Sequence, residues 1–114
     1  MSRKVKLYLR GPMTGIPKLN YPMFHAWADN LRKAGYVVVS PAEINTLRTP
    51  ESLAMKRDIS ALAMCDAVAD LPGWENSAGA AKEGIVMAML GMQNERVDFW
   101  TAIGEKRARE ILLG

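Results

Sequence analysis

Apolar and polar residues alternate at the start of the chain, then repeat at helical spacing, and this exchange recurs to its end. Val5, Leu7 and Leu9 alternate and predict a first strand over residues 5–10, with Arg3, Lys4 and Lys6 on its solvent side. Gly11-Pro12 stops it, and residues 11–19 read as a loop. Asn20 is placed to cap a helix over residues 21–34, with Gly35 behind it as the C-cap. Phe24, Trp27, Ala28 and Leu31 form its apolar stripe. The continuous apolar run 36–40 predicts a strand covered on both faces and closed by Pro41. Residues 42–48 carry no assignable pattern. Thr49-Pro50-Glu51 combines cap, proline and acid, and predicts a helix to about Met64. Residues 66–71 predict a third strand, ended by Pro72-Gly73. Ser77 caps a helix that ends at Gly91. A short fourth strand over 96–100 and a last helix over 101–113 complete the pattern.

Strands alternating with helices imply a parallel sheet with helices on both faces and right-handed crossovers. The expected fold class is α/β, a flavodoxin/Rossmann-like three-layer arrangement of about four parallel strands in the order 2-1-3-4. One domain is expected over residues 1–114. That order sets strands one and three side by side at a switch point. The loops that follow them, 11–15 and 73–79, then form the ligand site.

Composition narrows the chemistry. The chain has 114 residues, 49% of them hydrophobic, and a net charge of +3. This mild, scattered basicity suits an anionic small ligand and argues against a nucleic acid polymer. One cysteine (Cys65) and one histidine (His25) rule out a disulfide framework and argue against a zinc centre, so neither metal nor cofactor is expected. No apolar run approaches the ~18 residues of a membrane span. No apolar h-region follows the basic start, so a cytoplasmic setting is expected. Met87, Met89, Leu90 and Met92 cluster late and suggest a homo-oligomer, although core packing explains them equally well.

Three segments hold candidate chemistry. Tyr8, Gly11, Met13 and Thr14 sit at the exit of the first strand, where backbone N–H groups can cradle a phosphate or sugar. Asp58, beside Ile59 and Leu62, lies late on the second long helix; its plain alternative is a solvated helix carboxylate. Ser77, Gly79 and Glu83 open the helix after strand three. There Gly79 permits close approach, and Glu83 stands near the carboxyl end of a strand. Trp74 precedes them as a candidate to stack on a base or to cover the core edge.

Taken in order, Tyr8-Leu9-x-Gly11-Pro12, Arg57-Asp58-Ile59 and Ser77-x-Gly79-x-x-x-Glu83-Gly84 resemble the nucleoside 2-deoxyribosyltransferase superfamily, which includes the deoxynucleoside 5′-monophosphate N-glycosidases. The likeness is nearest to small phage and prophage members and spans residues 8–91. It implies Glu83 as nucleophile and Asp58 as the carboxylate that holds the deoxyribose and assists departure of the base. It also implies that Tyr8, Gly11, Met13 and Thr14 line sugar and phosphate. Serine rather than aspartate at Ser77 favours nucleotides over nucleosides. The implied activity is cleavage of an N-glycosidic bond, by hydrolysis or base transfer. In that chemistry Asp58 is expected to act as the acid and Glu83 as the anion. The alternative is a non-catalytic nucleotide-binding or sequestering protein, such as a phage-encoded one.

Overall fold

A computed structural model describes residues 3–114. Strands β1 (Lys6–Arg10), β2 (Val37–Val39), β3 (Ala67–Asp70) and β4 (Gln93–Arg96) form one sheet in the order β2-β1-β3-β4. Every pairing is parallel. The helices are α1 (Tyr21–Lys33), α2 (Pro41–Ile44), α3 (Glu51–Leu62), α4 (Ala78–Leu90) and α5 (Val97–Leu113), with 3-10 turns at Pro17–Asn20 and Trp74–Asn76. The α/β class is the one the alternation predicts, and the strand order is the expected 2-1-3-4.

The period of two in β1 sorts the layers. Leu7 and Leu9 point to a core shared with Phe24, Leu31, Ala69, Trp100 and Ala108, from α1, β3 and α5. Tyr8 points the other way, onto Leu62, Val68 and Met87, from α3, β3 and α4. The second face is smaller and more polar, and it carries the candidate chemistry. No helix among the described residues is long and apolar enough to cross a membrane.

Several local expectations need correction. Val37 is 42% exposed because β2 is the sheet edge rather than a strand covered on both faces. Pro41 does more than close β2: it opens α2, with Ser40 Oγ accepting from the Ala42 N–H at 3.2 Å. Asn20 holds the N-cap place of α1 as expected but makes no side-chain capping bond. It lies in the left-handed region (φ 62°), and its Nδ2 donates to the Pro12 carbonyl at 3.0 Å, tying down the first glycine loop. Pro50, not Thr49, takes the N-cap place of α3; Thr49 Oγ1 instead accepts from the Thr46 N–H at 2.9 Å. The fourth strand is Gln93–Arg96, and residues 97–100 already belong to α5, which breaks at Gly104. Late in α4, Met87 is core, whereas Met89 and Leu90 are exposed.

Gly11 shows how tightly the switch point is packed. A Cβ there would stand 2.8 Å from Leu71 Cβ and Cδ1, and Leu71 is fully buried. Gly11→Ala is therefore expected to destabilise by ~1–3 kcal/mol through overpacking. A lower denaturant midpoint with an unchanged slope would show it.

Candidate functional site

The chain places one cavity of ≈ 230 Å³ over the carboxyl ends of β1 and β3. This is below the ~300–1,000 Å³ of drug-sized pockets and suits a single small ligand. Three of the segments that wall it carry the predicted chemistry, and residues 41–49 and Tyr21 add to the wall. The first glycine loop supplies Gly11, Met13 and Thr14; α3 supplies Met55 and Asp58; the start of α4 supplies Ser77, Gly79 and Glu83. Asp58 and Glu83 thus share one cavity, although 25 residues separate them in the chain.

Each side chain has a local cause for its place. Ser77 caps α4 as its type suggests, with Oγ accepting from the Ala80 N–H at 3.2 Å. Glu83 follows one and a half turns on and is 6% exposed. Tyr8 lies beneath it, fully buried, and its hydroxyl donates to Glu83 Oε2. Burial, with the Glu83 and Asp58 charges nearby, holds the Tyr8 phenol well above its usual range, so it remains a donor. Asp58 is 8% exposed and accepts a 2.8 Å bond from Asn45 Nδ2 on its Oδ1.

The two acids feel different surroundings. Burial pushes Glu83 up to about 7; the Asp58 charge adds to this, while the Tyr8 hydroxyl and the Arg10 charge oppose it. Asp58 is also raised by burial, but the Asn45 amide favours its ionised form. Both carboxyls are thus held above their ordinary values, Glu83 at about 7. Asn45, which holds Asp58, belongs to the segment 42–48 whose sequence carries no pattern.

Trp74 does not line the cavity. Its ring lies 4.0 Å from the guanidinium of Arg10. Arg10 is itself a buried charge that the alternation of β1 hides, because that strand is covered on both faces. Tyr21 reads as helix packing, yet it also lines the cavity and donates to the Thr46 carbonyl at 3.3 Å. Lys82 and Glu51 reach the cavity wall as well. Cys65 is half-buried, and burial pushes its thiol up to about 11, which makes it a poor nucleophile. No group of three or more His, Cys, Asp or Glu among the described residues is arranged to hold a metal ion.

Gly79 is the one cavity glycine that protein packing does not require. A Cβ there would come no nearer than 3.8 Å to Ser77 Oγ and 4.0 Å to Met55 Cε. A glycine in a helix costs up to about 1 kcal/mol relative to alanine. Its presence leaves room at the α4 N-terminus that the protein itself does not fill.

The domain is thus an α/β three-layer fold with a cavity at the switch point of its parallel sheet and two buried carboxylates on the cavity wall. Residues 5–94 match the family described as a domain of unknown function, DUF4406, and the chain belongs to that family. No curated protein matches it.

Proposed function

We propose that this domain cleaves the N-glycosidic bond of a deoxynucleoside or deoxynucleoside 5′-monophosphate, with Glu83 as the nucleophile. The observation that supports this reading is the meeting of Glu83 and Asp58, from two helices, on one cavity beside the first glycine loop. Likeness of the three sequence motifs to the nucleoside 2-deoxyribosyltransferase superfamily adds the reaction class.

The chemistry follows from the charges. Breaking the bond from C1′ to the base nitrogen builds positive charge at C1′. A Glu83 carboxylate oxygen bonds to C1′ as that bond breaks, and the bonding pair leaves with the base, which takes up a proton. Water then adds to C1′ and frees Glu83, giving hydrolysis; a second base in its place gives transfer. Tyr8 fixes the carboxylate rotamer and favours its anion. Asp58, held by Asn45, takes the sugar hydroxyls and supports base departure. Attack needs ionised Glu83, so kcat/KM is expected to rise about tenfold per pH unit below ~7 and to level off above it.

The α4 N-terminus, with Ser77, Gly79 and Lys82, is the place for a 5′-phosphate. Unpaired first-turn N–H groups and the helix dipole favour an anion there. Gly79→Ala is therefore expected to stabilise the fold by up to about 1 kcal/mol, yet to raise KM for the monophosphate more than for the nucleoside. Thermal melts and chromatography of released base measure both. Equal KM changes for the two substrates would remove the phosphate from this end of the cavity.

A further inference from the structure

Outside the cavity lining lies a buried charged cluster that the proposed reaction does not use. Parallel register sets Arg10 of β1 opposite Asp70 of β3. The two are 3% and 2% exposed, and charges this buried are rare unless paired. Arg10 Nε and Nη2 donate to the two Asp70 carboxylate oxygens at 2.6 and 3.0 Å, and Asn94 Nδ2 donates to Asp70 Oδ2 at 2.7 Å. A pair of this kind gives little net stability, since apolar residues of equal volume often serve as well. Its value must lie in what else it touches.

The guanidinium reaches past Asp70. Nη1 donates to the Ala80 carbonyl, in the first turn of α4, at 3.3 Å. Gly84 makes room for it, since a Cβ there would stand 3.1 Å from Nη1. The same group stacks on Trp74 in the turn leading to α4. Glu83 and Gly84 follow Ala80 by three and four residues, so each neighbours Ala80 on the helix surface. One cation thus grips the strand end, the preceding turn and the helical turn that carries Glu83.

We propose that Arg10 is a positioning residue for Glu83: it locks the carboxylate-bearing turn of α4 onto β1 and keeps a positive charge behind it, a charge that Asp70 moderates. For its kinetic consequence this rests on the reading of Glu83 as nucleophile. The charged and titratable groups acting on Glu83 are Tyr8 and Arg10 from β1, Asp70 from β3 and Asp58 from α3. Arg10 and Tyr8 favour the anion, whereas Asp58 and Asp70 oppose it. Removing Arg10 and removing Asp70 must therefore displace Glu83 in opposite directions. A strut that merely holds the helix would displace it in neither.

The test is a carboxyl-carbon NMR titration of the full chain labelled at glutamate Cδ, with the Glu83 signal assigned by its loss in Glu83→Gln. The Glu83 midpoint is expected to rise by about one pH unit or more in Arg10→Gln and to fall by a similar amount in Asp70→Asn. It is expected to stay close to the wild-type value in Arg10→Lys, which keeps the charge. Midpoints that do not move, or that move together, overturn the proposal. So does an Arg10→Lys midpoint displaced as far as that of Arg10→Gln. If Arg10→Gln does not fold, Asp70→Asn decides alone: a lower midpoint supports the assignment and an unchanged one overturns it. Base release that survives Glu83→Gln would sink the nucleophile reading and leave the NMR result standing. Glu83-dependent release with unmoved midpoints would sink the role of Arg10 alone.

Discussion

Glu83→Gln is expected to give a folded protein that releases base at least ~10³-fold more slowly than wild type and that is more stable than wild type at pH 8. The activity loss follows from removing the only group placed to attack C1′ in the proposed reaction. The stability gain follows from burial. Glu83 is held at about 7 in the folded chain against an ordinary value of 4.5. Between those two pH values the folded state binds more protons than the unfolded state. Stability therefore falls as pH rises through this window, and the loss is complete above about 7. At ~1.4 kcal/mol per pH unit the full penalty is about 3 kcal/mol. Glutamine has nearly the same shape, still accepts from Tyr8, and carries no charge to bury. Its expected gain is ~1–3 kcal/mol at pH 8 and none near pH 4. Denaturant unfolding at the two pH values measures it. A structural glutamate would give the opposite pattern, with lost stability and retained turnover.

Trp100→Ala is expected to cost ~3–5 kcal/mol, a large share of the ~5–15 kcal/mol that holds a domain of this size together. Trp100 is fully buried and lies in the core between the sheet and the outer helices α1 and α5. Its Nε1 donates to the Val68 carbonyl at 3.0 Å, and its own carbonyl accepts from the Tyr36 hydroxyl at 2.7 Å. Phe99 and Tyr36 meet its ring edge-on, with centroids 5.3 and 6.2 Å away. Truncation empties the site, strips a partner from the Val68 carbonyl and loosens α5 from β3. Denaturant unfolding with tryptophan-free detection, by far-UV circular dichroism, gives the change. A cost under about 1 kcal/mol would mean that α5 docks by other contacts.

Trp100 also marks where the sequence stops being legible. Residues 97–100 combine a β-branched residue with two aromatics and suggest a strand, but tertiary packing makes them the first turn of α5. The true edge strand, Gln93–Arg96, is polar and mostly exposed, because it has a single neighbouring strand. The strong periodicities fared better. Alternation in β1 and the stripe of α1 are local signals, and the βα alternation implied the parallel sheet, whose order is the expected 2-1-3-4. In the site, Ser77 and Gly79 announce themselves through capping and glycine chemistry, and Tyr8, Asp58 and Glu83 through motif order. Asn45 and Arg10 do not. Asn45 matters because of a partner 13 positions away, and Arg10 because of a strand register that brings Asp70 beside it. Such pairings are properties of the folded chain, with no periodic trace in its sequence.

The most direct measurement mixes the wild-type protein with a panel of deoxynucleosides and their 5′-monophosphates between pH 5 and 9, and follows free base by chromatography. The proposed chemistry predicts base released from at least one of them, with kcat/KM climbing to a plateau above about pH 7. Thermal stabilisation by a nucleotide with no base released at any pH would contradict it and would make the cavity a binding site alone.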